Sequence, residues 1–534
     1  MRLISLLRLL VILLLALPVL MVLAAWLQWN AGSADILLSM SSTVLPGYVL
    51  SSLSLCFWVA LGVISMGSVS AAAVTLFDFP GRRTLEWALL LPLAMPAYVV
   101  AYAYSDFLQF SGPVQTSLRQ LFGWQGALWP DVRSLWGAAA VLSCALYPYV
   151  YLLVRAALVE RAPQLMEAAR LLGAGLNRRI FRVALPLARP AIAAGTALAL
   201  METLADFGVS SYFGVTTFST GIYKAWLVMD DRVAAAQLAT FLLLLVLLML
   251  GLEQRAQARL RFTSQRSTGR DSESQPLQLH NWAAALAFFL CTMPILLGFV
   301  LPLLIMAHAL WVQSQSVWID WDKFSQWTFN SLYLGLLTAV LAVGLALSLA
   351  FSQRVHPTPW RRWSTQVVGL GYAVPGVIVV VGLLLPIGWL QQAWPQSQVG
   401  YWLTATVLGL VWAYLVRFIA VALQAVQAGY SRIPMSADEA SLTLGVYRTA
   451  LFTRVHWPLL TRSTAAALLL VLVDVMKELP ASLVLRPFNT DTLAVMAYQL
   501  ARDERLGEAA LPSLALVLVG LLPVMLLSRT LRKS

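Results

Sequence analysis

The chain has 534 residues, of which 60% are hydrophobic and 11% charged, with a formal net charge of +12. A soluble domain carries about a quarter charged residues, so this composition excludes an ordinary globular enzyme and points to a membrane-embedded chain. The 36 basic residues lie mostly in short loops, where membrane topology accounts for them better than nucleic-acid binding does.

Apolar blocks fall at about 8–28, 48–76, 85–105, 134–158, 187–209, 233–252, 282–311, 329–351, 365–388, 401–424, 463–485 and 510–528. Most are long enough to cross a ~30 Å hydrocarbon core, which predicts an all-α polytopic membrane protein of about twelve spans. The first block follows a basic start and exceeds the ~7–15-residue core of a cleaved signal, so it is expected to be an uncleaved span. Cys56, Cys144 and Cys291 all lie in apolar blocks. They have neither the exposed pairing of a disulfide framework nor metal-ligand spacing, and they fit small buried hydrophobes. Pro96 and Pro375 fall inside the third and ninth blocks, where each is expected to kink its helix. Tyr98, Tyr102 and Tyr104 fit an interfacial aromatic belt. The four histidines are scattered and form no ligand cluster.

With the N-terminus placed in the cytoplasm and the spans alternating, 27 of the 36 Lys and Arg fall on the cytoplasmic side. That bias satisfies the positive-inside rule and puts both termini in the cytoplasm. Between the sixth and seventh blocks, residues 253–280 are rich in Ser, Gln and Arg and are expected to form a cytoplasmic linker. They divide the chain into a first half, 1–252, and a second half, 281–534, each with six spans.

The halves share a basic, amphipathic stretch at about 160–190 and again at 432–462. The core of the first reads EAARLLGAGLNRRIFRVALPLARP from Glu167, and that of the second EASLTLGVYRTALFTRVHWP from Glu439. A constant offset of 272 residues carries Glu167 to Glu439, Ala168 to Ala440, Gly173 to Gly445 and Pro186 to Pro458. Gly173 is expected to end a short helix in the left-handed conformation. A second short helix, Asn177 to Leu185, is expected to stop or kink at Pro186. One such stretch alone would fit a helix resting on anionic lipid; two at matching places fit a partner with two matching grooves. The same offset carries Glu202 to Asp474 and Asp206 to Glu478. Ionisable residues inside spans usually face a bundle interior or a water-filled cavity, so these four carboxylates are candidates for a translocation path for a hard cation. The competing reading is structural: Lys477 pairs with a carboxylate, and Asp206 caps a helix. Parallel repeats put a substrate path at the interface of the halves.

Glu167, Ala168, Ala169, Gly173 and Pro186, with the Leu before that proline, resemble the EAA loop of bacterial ATP-binding-cassette importer permeases of the binding-protein-dependent class. The second copy departs mildly, with Ser441 for an alanine and Trp457 before its proline. The fused plan resembles ferric iron permeases, through Met201–Trp226 in the first half and Asp474–Leu514 in the second. The resemblance implies the type I importer permease fold in a bacterial inner membrane, with each EAA loop seated on one of two cytoplasmic ATPase subunits. It also implies a periplasmic binding protein that delivers the cargo. This chain would bind no cofactor and, beyond lipid and these proteins, no nucleic acid; ATP and magnesium would be used by the partner. No lysine follows a glycine in this sequence, so it has no P-loop of its own. Related permeases for thiamine, polyamines or other small solutes share the plan. A proton-driven carrier using the intramembrane carboxylates is an alternative of another class, but it has no need of paired docking loops.

Overall fold

Eleven helices among the described residues are long and apolar enough to cross a membrane, or twelve when the bent pair Arg82–Ala94 and Ala97–Phe122 is taken as one span. The computed structural model describes residues 2–27, 38–229, 231–264, 277–316, 318–396 and 398–531. Long Leu, Val and Ala runs build these helices, because in hydrocarbon every backbone N–H must find its partner within the segment. Their starts carry local signals: Pro46 opens Leu45–Leu76, Asp320 accepts from the Lys323 N–H ahead of Trp321–Val355, and Thr406 caps Val407–Tyr430. The only strand pairing among the described residues is a two-residue parallel bridge between Phe77–Asp78 and Leu277–Gln278.

The third span corrects the expected kink. Its two helices meet at 89°. Pro96 sits in extended conformation at the break, as the residue before the Ala97–Leu108 helix. Pro375 plays the same part between the turn Leu370–Ala373 and the helix Gly376–Ala393. A proline lacks the N–H that would continue the preceding helix, and at the start of the next one that loss costs nothing. Residues 253–264, expected in the linker, instead continue the Arg232–Ser264 helix; residues 265–276 lie outside the described residues.

Two compact units emerge, and each combines chain from both sequence halves. One comprises Met1–Leu38, Ile222–Leu243 and Trp318–Gln499; the other comprises Ser39–Gly221, Leu244–Val317 and Leu500–Ser534. In the first, Trp321–Val355, Val407–Tyr430 and Trp457–Lys477 pack as a three-helix group, and Arg2–Ala24 lies on Gly376–Ala393. In the second, Leu45–Leu76, Leu135–Leu171 and Leu185–Ala205 form the corresponding group, while Leu301–Ser316 packs on both Ala97–Leu108 and Leu506–Leu531.

Small residues let these helices approach closely, as membrane packing requires. A Cβ added at Gly67 would sit 2.7 Å from the Val150 side chain, and one at Gly195 would sit 2.7 Å from the Val150 backbone. One stretch of the Leu135–Leu171 helix is thus gripped from two sides.

Candidate functional site: two matched surface loops and the carboxylates beyond them

The first EAA stretch is not a separate short helix. Glu167, Ala168 and Ala169 lie on the last turns of the 37-residue helix Leu135–Leu171. The helix ends where Gly173 turns to φ +78°. The Gly173 N–H bonds to the Arg170 carbonyl at 2.9 Å, and the Ala174 N–H reaches back to Ala169 at 2.9 Å. This bond pair is the left-handed glycine terminus that satisfies the last carbonyls of a helix. In the second copy a shorter helix, Met435–Thr443, carries Glu439 and Ala440. Gly445 turns at φ +77°, its N–H bonds to Leu442 at 3.1 Å, and the Val446 N–H reaches Ser441 at 2.9 Å. Both glycines are there for their dihedral angle, since a Cβ at either would meet nothing within 4 Å.

Beyond each turn the chain re-enters a helix, and of the stop or kink expected at Pro186 the stop does not occur. Leu176–Arg179 runs through a π turn, Ile180–Ala184, into Leu185–Ala205. The second copy runs through Phe452–His456 into Trp457–Lys477. Pro186 and Pro458 each follow their π turn by two residues. The wider turn spares the proline ring its clash with a carbonyl one turn back, so the helix continues.

What the loops present outward is a mixture of carboxylate and apolar surface. Glu167, Ala168, Glu439 and Ala440 are exposed. Leu171 and Leu172 are 85% and 87% exposed, Leu444 is 81% exposed, and Leu442 and Tyr447 are also open. Leucines so bare at a helix end, next to carboxylates, form an apolar tip without cover in this chain. Arg178 and Arg182 lie exposed just beyond the first tip.

The loops differ in how they are anchored. The Asp438 carboxylate, one residue before Glu439, receives the Arg354 guanidinium at 2.7 and 3.3 Å. His456 Nε2 lies 3.0 Å from the same carboxylate, and the Tyr430 hydroxyl lies 3.4 Å from His456 Nδ1. Arg354 also donates to the carbonyls of Tyr430, Ile433 and Pro434 at 3.1, 2.9 and 3.1 Å. His456 is fully buried. Burial alone would raise the Asp438 pKa, but the bonds from Arg354 and His456 outweigh it and hold the carboxyl below the ordinary 3.8. Sequence reasoning missed this group. Its members lie far apart in the chain, and the one available signal was an extra acid immediately before Glu439.

The carboxylates beyond the loops have defined partners. Asp206 follows Leu185–Ala205 directly and caps the short helix Gly208–Tyr212, accepting from the Val209 and Ser210 N–H groups at 3.3 and 3.0 Å and from the Ser210 hydroxyl at 3.1 Å. Glu478 does the same for Pro480–Leu485: it accepts from the Ala481 N–H at 2.9 Å, and from the Ser482 N–H and hydroxyl at 3.1 and 3.0 Å. Every bonding partner is displaced by the same 272 residues. Glu478 has in addition Arg417 at 3.5 Å. Glu202 and Asp474 are half-buried, and Asp474 lies close enough for its charge to act on Lys477. Among the described residues no three His, Cys, Asp or Glu side chains gather as metal ligands.

Residues 63–262, which contain the first EAA stretch and Asp206, match the family described as "Binding-protein-dependent transport system inner membrane component". The chain is 24% identical over 472 residues to the Fe(3+)-transport system permease protein FbpB 2 of Haemophilus influenzae, covering 88% of this chain and 87% of that protein. It is 34% identical over 171 residues to the molybdenum transport system permease protein ModB of Escherichia coli, covering 31% of this chain and 70% of that one. A putative 2-aminoethylphosphonate transport system permease protein, PhnU of Salmonella typhimurium, is 27% identical over 219 residues, 40% of this chain and 76% of its own.

Proposed function

The chain belongs to the family of binding-protein-dependent transport system inner membrane components, the permeases of ATP-binding-cassette importers, and from that premise we propose that it imports ferric iron. The cargo would be handed over by a periplasmic binding protein, and ATP would be hydrolysed by two copies of a separate cytoplasmic subunit. The chain itself would be two fused permease halves, 1–252 and 281–534, in a bacterial inner membrane with both termini cytoplasmic.

One observation carries the coupling role. Two exposed loops end on the same left-handed glycine turn, 272 residues apart, and each offers a carboxylate beside bare leucine. A two-fold pair of ATPase subunits has two equivalent grooves to receive them. In this reading Glu167, Ala168, Ala169, Gly173 and Pro186 form one docking element, and Glu439, Ala440, Gly445 and Pro458 the other. Closure of the ATPase pair moves both loops and biases the helix bundle between its inward- and outward-facing states.

Ferric iron is supported by the likeness to the Haemophilus influenzae protein over nearly the whole length of both chains. A second reading, a molybdenum oxyanion, is supported by the higher identity to ModB over a shorter stretch. Because Asp206 and Glu478 cap helices, Glu202 and Asp474 are the carboxylates best tested as path residues. Glu202→Gln with Asp474→Asn should lower cargo uptake while stimulation of ATP hydrolysis by the loaded binding protein persists.

The deciding experiment reconstitutes the permease with its ATPase and offers ferric-loaded or molybdate-loaded binding protein. Stimulated hydrolysis with the ferric form alone supports the assignment. Stimulation by the molybdate form alone overturns the cargo but not the permease role. Uptake that persists without ATP and collapses with a protonophore would overturn the coupling role itself.

A further inference from the structure

The two loops are alike in their turns and unlike in their anchoring. On the 272-residue offset, Met166 stands where the second half has Asp438, Ala184 where it has His456, and Leu158 where it has Tyr430. The counterpart of Arg354 is Arg82, which donates to the Val74 carbonyl at 2.7 Å and lies 3.8 Å from Asp78. The first half does have a part-buried ion pair, Arg155 with Glu86. That pair sits twelve residues before Glu167, on the body of the long helix, whereas Asp438 sits on the docking element itself.

A charged pair this enclosed resists separation. Removing one partner of such a pair leaves the other charge uncompensated. Arg354 also satisfies three carbonyls at the entry to the second loop, while His456 ties Asp438 to the π turn that leads out of it. The second loop is therefore fastened at its entry, its centre and its exit to the inner end of Trp321–Val355 and the start of Trp457–Lys477. Among the described residues, the first loop has no such bonds at the matching positions.

We propose that Arg354, Asp438 and His456 are positioning residues that make the second loop a rigid lever and leave the first a compliant dock. The two loops then do unequal work: a displacement imposed on the second passes directly into the transmembrane helices, while the first follows its ATPase subunit with less effect on the bundle. This inference rests on the docking role proposed above for both loops.

The test uses the full transporter in lipid nanodiscs, with cysteines for spin labels in a background where Cys56, Cys144 and Cys291 are replaced. One label pair, His356 with Thr443, spans the clamp. The matching pair, Thr84 with Leu171, spans the first loop; all four positions are exposed. On adding ATP, the His356–Thr443 distance should stay fixed while the Thr84–Leu171 distance changes. Equal changes in both pairs, or a change in the clamped pair alone, overturn the proposal. A second arm gives the second loop the residues that the first carries, Asp438→Met with His456→Ala. The ATPase subunit should still co-purify, while cargo moved per ATP hydrolysed falls about fivefold or more, the lower end of typical coupling effects. An unchanged ratio in this variant overturns the lever. Failure of wild-type permease to hold the ATPase subunit at all would instead refute the docking role.

Discussion

The two left-handed glycines allow a quantitative test of the proposed docking elements. Replacing Gly445 by alanine adds a methyl group that touches nothing, so any effect must come from the backbone. At φ +77° an L-residue brings its Cβ against the neighbouring carbonyl, a cost of about 1–2 kcal/mol. That energy shifts the balance between the turned and unturned loop by roughly 5- to 30-fold. Gly173, at φ +78°, should behave the same way, and the double variant should approach the sum of the two. Asparagine tolerates the left-handed region better than alanine, and a β-branched valine worse. The expected order of affinity for the ATPase subunit is therefore Gly, Asn, Ala, Val, measured by titrating labelled ATPase into solubilised permease. The thermal unfolding midpoint should barely move, because the turns are exposed and lie outside the packed helices. Alanine binding as tightly as glycine, or asparagine more weakly than alanine, would show that the dihedral angle is not what the glycine supplies.

Gly382 tests the seating of the first helix. A Cβ there would lie 1.9 Å from the Pro18 carbonyl, so Gly382→Ala should displace Arg2–Ala24 and lower stability by about 1–3 kcal/mol; Gly344→Ala, where nothing lies near, is the silent control in a thermal melt. Glu478→Gln should cost more than Asp206→Asn, since both lose a cap worth about 1 kcal/mol but only Glu478 also gives up an ion pair, with the half-buried Arg417; denaturant titration of the two variants compares them. Asp438 makes stability depend on pH. Its folded pKa lies below the unfolded one, so its contribution is present above the unfolded value of about 4 and fades as pH falls through the folded value. Asp438→Asn should lower stability at neutral pH and flatten the acid limb of the melting profile, and an unchanged acid limb would argue against the clamp.

Much of this architecture is legible in the residues. The 272-residue offset, visible from Glu167 and Gly173 alone, also predicts where the paired helices end, at Ala205 and Lys477, and which carboxylates follow them. It holds because the duplicated segments keep local signals: a glycine at the turn, a proline past it, an acid before a short helix. What escaped was non-local. Hydropathy marks Arg2–Ala24 as a span without saying that it lies on Gly376–Ala393. The Asp438 group was invisible because Met166, Ala184 and Leu158 stand where the second half has Asp438, His456 and Tyr430, so the repeat marks only its arginine, through Arg82. Pro186 misled because a proline in isolation signals a helix stop, and only the hydrogen-bond pattern reveals the π turn that accommodates it.

The exchange of chain between the compact units bears on biosynthesis. The unit built around Leu135–Leu171 includes Leu506–Leu531, so it cannot be finished until a helix far downstream in the chain has been translated. Until then the early spans must wait in the bilayer with part of their mating surface facing lipid or an insertion factor. A ribosome stalled just short of residue 500 should leave Leu301–Ser316 abnormally open to protease, although every residue of that helix has already been made.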